Sequence, residues 1–85
     1  MAYDLRYTRD AAKDLAGLPK ADAGRIVAKL EAVAADPLNT AGVKKMVGRE
    51  GYRLRSGDWR ALFTLDHGAL VVTVIKVEKR GSVYR

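Results

Sequence analysis

The sequence has no cysteine and a single histidine, His67. Without thiols it makes no disulfide and no thiolate metal site, a pattern that suits a reducing cytoplasm. One imidazole gives little material for a metal centre, so neither metal nor cofactor is expected. No stretch reaches the roughly 18 apolar residues that cross a membrane as a helix. The opening "MAYDLRYTRD" is charged at once and lacks the apolar core of a secretory signal. There are two prolines, Pro19 and Pro37, and no repeat or low-complexity run. The expectation is one cytoplasmic domain over residues 1–85, with no membrane partner. A chain this short buries only a little more than ~60% of its unfolded surface, so its own stability is modest.

What is abundant is positive charge, and it is unevenly placed. Residues 1–40 carry six basic and six acidic side chains; residues 41–85 carry ten basic and four acidic ones, so the whole formal excess of +6 lies in the second half. Such asymmetry favours a polyanionic partner. Nucleic acid ranks ahead of a membrane surface because no basic amphipathic helix accompanies the charge.

"YDLRY" (3–7) alternates apolar and polar side chains and predicts a short strand. Thr8 is placed to cap a helix over "RDAAKDLAGL", which ends near Gly17 and Pro19. A second helix, "KADAGRIVAKLEAVAAD", carries Ile26, Leu30, Val33 and Ala34 on one stripe, and Pro37 stops it by excluding Asp36 from helical geometry. Residues 41–51 read as irregular or weakly extended, with Lys44, Lys45 and Arg49 exposed. Three strands follow, over 52–55, 59–65 and 69–77, joined by Ser56-Gly57 and by His67-Gly68 as tight turns. The class is α+β: an N-terminal strand, two helices, then a three-strand antiparallel meander, with both helices on one face of the sheet.

Strand parity then sorts the side chains. With Ser56-Gly57 as the turn, Leu54 faces Trp59 and Arg53 faces Arg60; with His67-Gly68, Leu65 faces Leu70, Phe63 faces Val72 and Ala61 faces Val74. One face receives Tyr52, Leu54, Trp59, Ala61, Phe63, Leu65, Leu70, Val72 and Val74. The other receives Arg53, Arg55, Arg60, Thr64 and Thr73, with Leu62, Val71 and Ile75 between them. A three-residue Ser-Gly-Asp loop would break this parity and bury an arginine beside Trp59. Two guanidinium groups about 5 Å apart repel by roughly 1–3 kcal/mol, depending on how wet the site is. A cluster kept at that cost suits anionic oxygens, since the planar guanidinium fork matches phosphate. The end of the chain, "KVEKRGSVYR", adds Lys76, Lys79, Arg80, Tyr84 and Arg85. Tyr84 is suited to stacking on a base. His67 reads as a turn former.

The strings "YRLR" (52–55), "GDWR" (57–60) and "RGSVY" (80–84), in that order, resemble the RelE branch of the RelE/ParE toxins of bacterial type II toxin–antitoxin pairs. The element order fits that family along the whole chain, and its second half carries the specific motifs. The resemblance implies a ribosome-dependent, metal-independent endoribonuclease that cuts messenger RNA in the A site and so inhibits translation. By residue matching it implies catalytic roles for Arg53, Arg55, Arg60, Arg80 and Tyr84. Lys44, Lys45, Arg49, Lys76, Lys79 and Arg85 would then bind RNA or the ribosome.

The implied chemistry is attack of a ribose 2′-hydroxyl on the adjacent phosphorus. Arginine carries its proton at neutral pH and is no general base. The remaining candidates for that role are Tyr84, Glu50, Glu78, Lys79, Lys44 and Lys45, and the sequence singles out none of them. The implied partner is a cognate antitoxin whose acidic amphipathic segment wraps the toxin over a floor of Leu62, Val71 and Ile75, with DNA met only through the antitoxin. Two other functions fit the same residues: a ParE-like inhibitor of DNA gyrase, and a non-catalytic RNA-binding module.

Overall fold

A computed structural model describes residues 2–37 and 42–79. Strand β1 (Asp4–Tyr7) leads into helix α1 (Arg9–Ala16) and helix α2 (Lys20–Ala35). Strands β2 (Val43–Lys45), β3 (Tyr52–Ser56), β4 (Trp59–Asp66) and β5 (Val71–Lys79) follow. They form one five-stranded sheet in the order β1-β5-β4-β3-β2. Neighbours run antiparallel except β1, which lies parallel to β5. The α+β class and the meander β3-β4-β5 agree with the sequence reading. The sheet is wider than expected, because β1 and the three-residue β2 add its two edges.

Local chemistry explains the helix limits. Thr8 is the N-cap of α1: its hydroxyl accepts from the Ala11 N–H at 3.2 Å and donates to the Ile75 carbonyl at 3.1 Å. Pro19 precedes α2, and Asp36, ahead of Pro37, ends it outside helical geometry at φ −154° and ψ 80°. The α2 stripe of Ile26, Leu30, Val33 and Ala34 is buried as its spacing requires. It packs with Ala11 of α1 on Leu54, Ala61, Phe63, Val72, Val74 and Val77 of the sheet, with Tyr52, Trp59 and Leu65 at the margin.

Both hairpin registers differ from the expected ones by two residues. The first turn is Gly57-Asp58, with Ser56 opposite Trp59, Leu54 opposite Ala61, Arg55 opposite Arg60 and Arg53 opposite Leu62. Gly57 takes φ +58°, a left-handed conformation that suits the first central position of a tight hairpin. In the second hairpin Leu65 faces Val72, Phe63 faces Val74, and residues 67–70 form the turn. Leu70 therefore leaves the core face expected for it and takes φ +57° in that turn, while the Asp66 carboxylate accepts from the Ala69 N–H at 2.9 Å. A slip of two residues preserves strand parity, so apart from Leu70 the inward and outward sets survive the change of partners.

Strand β5 also carries a bulge. Phe63 faces Val74 but Leu62 faces Lys76, which leaves Ile75 as the extra residue. Strict alternation inward from Val72 and Val74 would have pointed Lys76 into the core. The bulge instead turns Val77 inward, where it is 3% exposed, and puts Glu78 on the outer face opposite Arg60.

Beyond the end of β1, α1 covers the edge of β5. Asp14 accepts the Val77 N–H at 3.0 Å and pairs with Lys76 at 3.3 Å. Tyr7 of β1 is half-buried on the helical side, and its buried hydroxyl has no hydrogen-bond partner among the described residues. Burial first, and the charge of Glu31 second, raise its pKa above 10.0. The folded state holds this proton more tightly than the unfolded chain. The corresponding stability is therefore present below about pH 10 and is lost as pH rises through the raised value. Tyr7→Phe should leave the thermal midpoint at neutral pH unchanged or higher and make its alkaline decline shallower, as melting curves across pH 8–11 would record.

Candidate nucleic-acid interface

The outer face of the sheet carries the charge. On β3, Arg53 and Arg55 alternate outward with Leu54 buried between them, and both are exposed. Arg60 of β4 lies opposite Arg55, and Lys44 of β2 lies opposite Arg53. These four cations and Gly42 line one open cleft of about 360 Å³. Its floor is fixed from behind: Lys29 of α2 donates to the Arg55 carbonyl at 3.2 Å, and the Trp59 indole N–H donates to Asp22 at 3.1 Å. The arginines therefore stand on a hairpin clamped to α2.

A second cleft of about 250 Å³ adjoins the first, with Arg53 and Arg60 common to both. It is bounded by Lys45, Met46, Val47, Arg49, Leu62 and Glu78. Leu62 faces outward by register yet is 7% exposed. The segment that walls this cleft closes tightly: Met46 N–H donates to the Gly51 carbonyl at 3.0 Å. Gly51 sits at φ +112°, and a Cβ there would lie 3.0 Å from both the Met46 methyl and the Phe63 carbonyl. Leu62 is thus already enclosed and does not form the open apolar floor expected with Val71 and Ile75. Val47, 97% exposed, stands at the rim instead.

Arg60 donates from Nε to the Glu78 carboxylate at 2.8 Å, with the two side chains 26% and 21% exposed. Glu78 offsets the repulsion set up by Arg55 against Arg60, a counter-ion that sequence parity had not placed. A signal was present: Lys76 falls at a core position under strict alternation, which asks for a bulge before it.

The expected site residues are thus partly assembled. Arg53, Arg55, Arg60 and Lys44 meet at one cleft, and Lys45 and Arg49 border the next. Lys76 is drawn aside to Asp14, and Lys79 lies opposite Trp59 at the end of β5. Arg80, Tyr84 and Arg85 fall outside the described residues. His67 lies beyond the far end of β4, roughly 20 Å along the strand from Arg60 at about 3.3 Å per residue, with its Nδ1 2.6 Å from the Tyr3 hydroxyl. Among the described residues no three His, Cys, Asp or Glu side chains are grouped to hold a metal ion. No helix among them is long and apolar enough to cross a membrane.

With this geometry in place, the chain can be set beside known proteins. The family model of the ParE toxin of the type II toxin–antitoxin system parDE matches residues 5–84. The isolated RelE toxin of E. coli superposes with a TM-score of 0.80 at 27% identity, over 98% of this chain and 92% of that one. RelE in the intact E. coli RelBE toxin–antitoxin complex is 30% identical over 92% of this chain and 96% of that one, with a TM-score of 0.77. The RelBE2 toxin–antitoxin complex of Mycobacterium tuberculosis shares the fold at a TM-score of 0.83 and 24% identity, covering 96% and 95% of the two chains. A search of curated protein sequences finds no match. The motifs on β3 and β4, the shared fold and the family match over nearly the whole length agree: the chain belongs to the RelE/ParE family of type II toxin–antitoxin toxins.

Proposed function

We propose that this toxin is a ribosome-dependent endoribonuclease that cuts messenger RNA in the A site, and that a cognate antitoxin holds it inactive. The observation that carries the reading is the cleft lined by Lys44, Arg53, Arg55 and Arg60 on the sheet face away from the helices. Four cations around one opening match a sugar–phosphate chain, and guanidinium forks match the two free oxygens of a phosphodiester. In the cleavage step the 2′-oxygen attacks phosphorus and the 5′-oxygen leaves, while charge builds on the phosphoryl oxygens. Preorganised arginines stabilise that charge, often the largest single contribution to catalysis. Arg80 and Tyr84 complete the proposed set by residue matching, Arg80 at the leaving oxygen and Tyr84 stacked on the base.

The antitoxin reading draws support from the RelBE complexes among the structural relatives. An acidic segment folding across the cationic face would neutralise it and stabilise this small domain by mass action. The family model's ParE description favours a second reading, a gyrase inhibitor. Induction in cells separates the two. Growth arrest with cleaved messages and intact DNA is expected; arrest with cleaved DNA and an intact message pool would move the target to gyrase. Absence of arrest, with salt-sensitive RNA binding, would leave a non-catalytic RNA-binding module.

A further inference from the structure

We propose that Glu78 is the proton acceptor of the cleavage step, an inference that rests on the endoribonuclease reading. Glu78 is the one carboxylate among the described residues lining the two joined clefts. The other charged side chains there are lysines and arginines, which in their ionic forms present donors only. Glu50, just ahead of β3, is exposed and lines neither cleft.

The contact with Arg60 supplies the geometry. Arg60 gives Nε to Glu78, and the same arginine borders both clefts. A phosphate held by the terminal nitrogens of that guanidinium would lie on the order of 6 Å from the carboxylate, two hydrogen-bond lengths spanning one guanidinium. The ribose 2′-hydroxyl, bonded to the carbon next to the one that carries the phosphate, falls between them. One arginine thus sets both the electrophile and the base. The bulge at Ile75 brings Glu78 to this face, so an irregularity in β5 serves the site.

The step balances without a co-reactant. Glu78 takes the proton of the 2′-hydroxyl as the O2′–P bond forms. The P–O5′ bond breaks, the leaving oxygen takes a proton from solvent water, and Glu78 returns its own to solvent. The products are a 2′,3′-cyclic phosphate and a 5′-hydroxyl, with no oxidation and no water consumed.

The test uses purified protein on ribosomes programmed with a defined message. In Glu78→Gln the amide oxygen still accepts from Arg60 Nε, so the arginine keeps its place while the base is gone. Cleavage should fall about 10²–10⁴-fold, with ribosome binding and thermal midpoint near wild type. Glu78→Ala should fall likewise and regain activity in formate, but not in chloride of equal ionic strength. A glutamine variant cutting at the wild-type rate would overturn the assignment while leaving the endoribonuclease reading intact. A wild-type protein that cuts no message on the ribosome would overturn that reading, and this assignment with it.

Discussion

Arg60→Ala is expected to slow message cleavage by about 10²–10³-fold, the usual loss when one preorganised donor to a developing oxyanion is removed. Arg60 borders both clefts and is pinned by Glu78, so no neighbouring arginine takes up its position. The fold should tolerate the change. Losing the Arg60–Glu78 pair removes a partly exposed ion pair, and the loss is offset by relief of repulsion with Arg55. The net effect on stability should stay within about 1 kcal/mol. Cleavage on programmed ribosomes, measured alongside thermal melting, separates these quantities. An alanine variant that melts normally and still cuts at full rate would remove Arg60 from the site.

Phe63→Ala should act in the opposite way, through the fold. Phe63 is fully buried, and its ring stacks on Tyr52 with centroids 5.7 Å apart and planes inclined by 17°. Truncating such a side chain typically costs about 3–5 kcal/mol. At about 0.05–0.15 kcal/mol per residue, a domain of this size has roughly 4–13 kcal/mol in total. The variant should therefore be largely unfolded or shifted far down in urea midpoint, and its toxicity should fall because little folded protein remains. Co-expressed antitoxin, binding only the native state, should restore part of the folded population. A stability within about 1 kcal/mol of wild type would mean that the core collapses around the gap, contrary to the packing described.

The contrast between these variants reflects what could be read from the sequence. Which residues face the helices and which face outward was legible, because alternation of Arg53, Leu54 and Arg55 and the α2 stripe fix faces independently of exact partners. Register was not, because the turn depends on which pair of residues takes the central positions. Ser56-Gly57 and Gly57-Asp58 both satisfy turn chemistry, and the difference re-paired Arg60 with Arg55 instead of Arg53. Strand β1 was legible as a strand, but its parallel pairing with β5 depends on a crossover through both helices that four residues cannot announce. The enclosure of Leu62 depends on Gly51 closing the segment from Met46, a contact between backbone and side chain with no periodic signature. Glu78 was one of several candidate bases in the sequence, and its place beside Arg60 depends on a bulge that fixes no residue by spacing alone.

The central claim is that the cationic cleft acts on message held by the ribosome. The most direct measurement is to add purified toxin to ribosomes stalled with one defined codon in the A site and map the new 5′ ends. Expected are ends at that codon bearing 5′-hydroxyls, no cleavage of the same RNA free in solution, and loss of the ends in Arg60→Ala. Intact message on the ribosome, or equal cutting of free and bound RNA, would contradict it.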